Sequence, residues 1–110
     1  MNVRSRGKSM EKAITKIFQF DGARRVGVLG KEDIVTNRFI IEVKERKSLP
    51  KFILNAYKQA EKHRTKNKIP LFILHELNKS HMNDLVILKL KDFLEIVRND
   101  WIKKYRIKEL

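Results

Sequence analysis

Glu42-Val43-Lys44 follows the apolar run Phe39-Ile40-Ile41 and sets a carboxylate and an ammonium two residues apart. In an extended strand such residues point to the same face, so the two charges project side by side. The same spacing recurs at Glu45-Arg46-Lys47, but no apolar strand leads into that pair. A second carboxylate, Asp33, lies upstream, beyond the turn-like pair Thr36-Asn37. A two-residue turn there sets Asp33 opposite Ile40, and residues directly opposite one another share a face. Asp33, Glu42 and Lys44 are therefore expected to converge. Any loop of even length keeps this parity, whereas an odd loop or a bulge rotates Asp33 away.

Two carboxylates so placed make a hard oxygen site suited to Mg²⁺ or Mn²⁺, an ion that keeps several waters and adds substrate phosphate to its ligands. The Val43 carbonyl is a further candidate ligand. An ion held there can polarise a phosphate and lower the pKa of an attacking water, and Lys44 can orient that water or stabilise growing negative charge. The competing interpretation is an ordinary surface ion pair at a strand end, which contributes only about 0–1 kcal/mol. No histidine pair has zinc-like helical spacing, and no phosphate-binding glycine-rich loop is present. His63 falls on an apolar stripe and reads as a buried structural residue. His75 reads as a hydrogen-bonded residue ending a strand, and His81 as an exposed loop residue.

The elements that must position these groups follow from periodicity. Met10, Ala13, Ile14, Ile17 and Phe18 are spaced as one helix face over 9–19, closed by Gly22. A short strand is expected over 24–29, where Gly27 and Gly30 suggest tight turns or close backbone approach, and a hairpin over 33–44. Ser48-Leu49-Pro50 opens a second helix reaching about residue 64. The continuous apolar runs 70–74 and 85–90 suit strands buried on both faces. Asp92 and Glu95 have capping-box spacing before a last helix through Trp101 that extends toward the C-terminal tail. The expected order is α-β-β-β-α-β-β-α, an α/β fold with a mixed β-sheet flanked by helices. The crossover helix is long enough to make some strands parallel.

Composition limits the partners. A length of 110 residues suits a single domain, 1–110, with a basic arm at 1–8 and a basic tail at 100–110. Without cysteine there are no disulfides or thiolate metal sites, and no apolar segment resembles a secretion signal or a membrane span, so a cytoplasmic, intracellular setting is expected. The 26 Lys and Arg against 13 Asp and Glu give a net charge of +13. That excess points to a polyanion, and its spread along the whole chain favours nucleic acid over a membrane surface. Arg4, Arg6, Lys8, Arg46, Lys47 and Lys51 are the candidate phosphate contacts, and Lys58, Lys62, Arg64, Lys66 and Lys68 could extend that surface. Phosphate contacts carry no base information, so recognition by DNA shape is expected.

Asp33, then Glu42-Val43-Lys44 nine positions on and after an apolar strand, resembles the signature of the PD-(D/E)XK nuclease superfamily. The segment Arg4-Ser5-Arg6-Gly7-Lys8-Ser9-Met10-Glu11 is similar to the N-terminal helix entry of its Holliday-junction resolvases, with Glu11 matching their helix acid. The resemblance runs from about residue 4 to 95. Glu32 stands where the signature carries proline. The resemblance implies a restriction-endonuclease-like fold and metal-dependent DNA cleavage at Asp33, Glu42 and Lys44. It also implies an outer-sphere or second-ligand role for Glu11 and an active-site role for Gln59 on the following helix. Resolvases of this kind act as homodimers on four-way junctions, and Phe93, Ile96, Val97, Trp101, Ile102 and Tyr105 are candidate interface residues, the alternative being that they complete the core of the monomer. A nicking or repair nuclease of the same superfamily is an alternative. So, from another class, is a non-catalytic basic nucleic-acid-binding domain.

Overall fold

The structure, a computed structural model, describes residues 3–28 and 31–98. Eight helices and strands follow in the expected order: α1 (Val3–Ile17), β1 (Arg24–Val28), β2 (Lys31–Val35), β3 (Ile40–Ile41), α2 (Lys51–Lys62), β4 (Phe72–Leu74), β5 (Leu85–Ile87) and α3 (Leu90–Val97). The fold is mixed α/β. Its described strands form two small antiparallel sheets, β1-β2-β3 and β4-β5, where one mixed sheet was expected. Contacts gather into two compact units, Met1–Lys47 and Ser48–Leu110.

In the first unit α1 begins at Val3, so the backbone of the expected basic arm is helical from that residue on. Apolar periodicity marks only the packed part of a helix; Arg, Lys, Met and Glu form helix readily without it. A 3₁₀ turn, Phe18–Asp21, ends the helix at Gly22, whose φ of 73° is left-handed. A Cβ at Gly22 would also stand 3.1 Å from the Asn37 side chain, so both conformation and space call for glycine. Gly27 lies within β1 opposite Glu32 and makes no turn. Leu29 and Gly30 lie outside the described residues. Phe18, Ala23 and Ile34 are buried, and the Phe39 ring meets Phe18 edge-on at 6.3 Å between centroids.

In the second unit Pro50 precedes α2, its fixed φ suiting the helix entry. Tyr57, on the inner face of α2, is buried; its hydroxyl lies 3.5 Å from the Pro70 carbonyl and accepts the Lys89 backbone N–H at 3.3 Å. One aromatic side chain thus links the helix to the entrance of β4 and the exit of β5. Phe52 adds an edge-on contact with Phe72 at 6.5 Å.

Four expectations for this unit are corrected. The strands are not buried on both faces: Ile73 and Val86, paired on one face, are each 53% exposed, because a two-stranded hairpin covered from one side leaves the other open, and Leu85, on the opposite face at the start of β5, is 62% exposed. His63 is an exposed residue capping the end of α2, since the helix stops at Lys62 and carries it off the apolar stripe. Asp92 is not a cap either. The N-cap position is Lys89, and Asp92, in the first turn and 2% exposed, accepts two hydrogen bonds from Arg64 at 3.1 and 3.2 Å. α3 ends at Val97, with Arg98 in extended conformation, short of the expected Trp101. Trp101, Ile102, Tyr105 and the basic tail lie outside the described residues.

Candidate active site

The β2–β3 connection is a four-residue loop, 36–39, rather than a two-residue turn, closed by a hydrogen bond from the Thr36 N–H to the Phe39 carbonyl at 2.8 Å. Its length is set by Thr36. The Thr36 hydroxyl oxygen accepts the backbone N–H groups of Arg38 at 3.2 Å and Phe39 at 2.9 Å, a local turn that competes with continued pairing. The loop is of even length, so the parity of the hairpin holds. The register pairs Val35 with Ile40 and Ile34 with Ile41. One step further along the same register is Asp33 opposite Glu42. The side chain of Asp33 lies outside what the structure describes; its backbone pairs with Val26 on β1.

Beyond the two residues of β3 the strand-like alternation continues: Ile40, Glu42 and Lys44 are exposed, while Ile41 and Val43 are half-buried. Glu42 and Lys44 therefore share the solvent face, and their charged groups meet at 3.4 Å with side chains 69% and 78% exposed. An ion pair that open to water contributes little stability and leaves both groups accessible to a ligand.

Glu11 projects from α1 onto Arg25, with 3.3 Å between carboxylate and guanidinium. Arg25 pairs with Ile34 in the β1–β2 register, which puts it on the buried side of the sheet, opposite the side that carries Glu42. Gln59 is exposed on α2, in the second unit. Arg46, Lys47 and Lys51 are exposed directly after the Glu42–Lys44 segment, as are Lys58, Lys62, Lys66 and Lys68. Arg64 differs from these because its guanidinium is committed to Asp92, which holds the Asp92 carboxyl below the usual aspartate range. The side chains of Arg4, Arg6 and Lys8 lie outside the described residues.

Two groups of residues escaped the sequence reading. Asp21 is 6% exposed and organises the loop that sets the register. Its carboxylate accepts the Thr36 hydroxyl at 2.7 Å, the Arg38 backbone N–H at 3.1 Å and the Arg38 Nε–H at 2.9 Å, and its carbonyl accepts the Asn37 N–H at 2.8 Å. The Thr36 hydrogen bond, followed by those of Arg38, lowers its pKa against the opposing effect of burial. An aspartate immediately before a helix-closing glycine was the available signal, but its partners lie 15 to 17 residues away. The other group is His75, His81 and Asp84 in the β4–β5 connection, whose ligand atoms lie within 4.8 Å of one another. Compared with family models, curated proteins and solved structures, the chain matches none.

Proposed function

We propose that the protein is a metal-dependent, structure-selective DNA endonuclease of Holliday-junction-resolvase type, with a restriction-endonuclease-like arrangement of its α/β elements. The observation that supports this reading is the hairpin register, Val35 opposite Ile40 and Ile34 opposite Ile41, which if continued by one step would set the backbone of Asp33 opposite Glu42, with Lys44 on the same face as Glu42. The resemblance of these residues to the PD-(D/E)XK signature and the net charge of +13 support it.

The donor set fits a hard divalent ion, Mg²⁺ or Mn²⁺, because Glu42 is exposed and Asp33 and the Val43 carbonyl are further candidate oxygen ligands. Bound there, such an ion supplies Lewis acidity to the scissile phosphate and its attacking water. Lys44, already beside Glu42, holds positive charge where negative charge develops on the phosphate. Glu11 is carried over by resemblance alone as an outer-sphere group, since its contact with Arg25 lies on the side of the sheet opposite Glu42. Gln59 is carried over by resemblance as an active-site residue on α2. Arg46, Lys47 and Lys51, with Arg4, Arg6 and Lys8 on α1, neutralise backbone phosphates and thereby align the duplex without reading bases.

Cutting two strands placed symmetrically about a junction takes two sites, and a two-fold homodimer supplies the second. The setting is intracellular, with DNA; among the described residues no helix is long and apolar enough to cross a membrane. The test is a substrate panel of labelled four-way junction, flap, mismatch and linear duplex. The expected outcome is Mg²⁺-dependent cutting, greatest on the junction and abolished by EDTA. Preferential cutting of flap or mismatch would favour a nicking or repair nuclease. Tight binding with no cutting in any divalent metal would leave a basic binding domain.

A further inference from the structure

The β4–β5 hairpin pairs Phe72 with Ile87, Ile73 with Val86 and Leu74 with Leu85. The next step of that register is His75 opposite Asp84. Between them Ser80 caps a 3₁₀ turn, its side chain accepting the Met82 N–H at 3.2 Å, and the Asp84 N–H closes that turn on the His81 carbonyl at 3.0 Å. The turn swings His81 over the end of the hairpin, so that its ring lies 4.1 Å from the ring of His75, centroid to centroid. Both imidazoles direct Nδ1 at the same carboxylate: His75 to Asp84 Oδ1 at 2.6 Å, His81 to Asp84 Oδ2 at 2.9 Å. Asn78, at a φ of 67°, is the one non-glycine residue with positive φ among those described, and it lies in this same connection. The backbone here is held in a specific shape that gathers three ligand groups from three chain positions.

We propose that His75, His81 and Asp84 form a binding site for one divalent transition-metal ion of zinc-like preference, ligated by two imidazoles and a carboxylate. Imidazole nitrogen with one carboxylate suits Zn²⁺ and its neighbours in the transition series, whereas Mg²⁺ prefers oxygen throughout. Bonds of about 2.0–2.1 Å at tetrahedral angles put ligand atoms roughly 3.3 Å apart. The two short nitrogen–oxygen contacts therefore need to open by about half an ångström or somewhat more to admit an ion. The side chains can make that adjustment: His81 is 78% exposed, and His75 32%, while Asp84, at 10%, is the fixed member. Three protein ligands leave a fourth position for water or another ligand. The ion would fasten the 75–84 connection to the hairpin. This site uses only residues of the second unit and does not depend on the nuclease reading.

The test is titration of the full chain with Zn²⁺ alone, followed by calorimetry and by the thermal unfolding midpoint, on wild type, His75→Ala, His81→Ala, Asp84→Asn and Asp33→Ala. The wild type is expected to bind one equivalent of Zn²⁺ and to unfold at a higher temperature with it, and a large excess of Mg²⁺ should not displace the Zn²⁺. Each of the three ligand variants should weaken binding at least about tenfold and lose the Zn²⁺-dependent rise, while Asp33→Ala keeps both. Removing the exposed His81 ring leaves the core untouched, and an unchanged circular dichroism spectrum checks this for every variant. No binding by the wild type, or equal affinity in wild type and His81→Ala, would overturn the proposal. Loss of Zn²⁺ binding in Asp33→Ala would overturn it too, by moving the ion to the other carboxylates.

Discussion

At Asp21 a buried carboxylate holds the loop that joins β2 to β3, through Thr36 and Arg38. Its pKa is lowered in the fold, as are those of Asp84 and Asp92. A carboxyl whose folded pKa is depressed stabilises the fold above its unfolded value, and that contribution is lost as pH falls through the folded value. Stability should therefore be held above the ordinary aspartate value of 3.8 and decline as pH drops below it. Asp21→Asn is expected to unfold more easily at neutral pH and to show a shallower acid decline than wild type, measured by urea unfolding across pH. An equal decline would remove Asp21 from this role. At this scale the sequence was read well where partners are near in the chain, as with Glu42 and Lys44. It was read poorly where they are far. Asp92 looked like a helix cap because Glu95 stands three residues on, and nothing local pointed to Arg64, 28 residues earlier.

Among the elements, the β2–β3 hairpin does most to position the candidate site. Its parity was legible because alternation of apolar and charged residues survives any even loop, although the loop proved to be four residues, held by the Thr36 hydroxyl. Ile34, 1% exposed, anchors the buried face of that hairpin. Ile34→Ala should destabilise the protein by about 2–5 kcal/mol, the usual range for emptying a well-packed core position. Chemical denaturation checks this, and a loss below about 0.5 kcal/mol would mean that the hairpin is held by other contacts. The order of elements was also legible, since each carries its own period and its own turn residues. Strand pairing was not. The runs at Phe72–Leu74 and Leu85–Ile87 are apolar throughout, a pattern shared by a strand buried on both faces and by a hairpin open on one. The antiparallel pairing that brings His75 to Asp84 appears only once the two strands are joined.

For the whole molecule, the excess of 26 basic over 13 acidic residues is the property that composition alone makes plain. If several of those cations meet phosphates together, log affinity for duplex DNA should fall linearly with log salt, by about 0.9 per phosphate neutralised. A flat response in a binding titration would contradict a broad phosphate footprint. The central claim, however, concerns cutting and not binding, and it rests on Asp33 and Glu42 acting together. The direct measurement is cleavage of a labelled four-way junction in Mg²⁺ by wild type and by Asp33→Ala at equal junction occupancy. Asp33→Ala is predicted to bind the junction as wild type does and to cut at least about a hundredfold more slowly, the scale expected when several kcal/mol of metal-assisted stabilisation are lost. Equal cutting by the two proteins would contradict the assignment of this site.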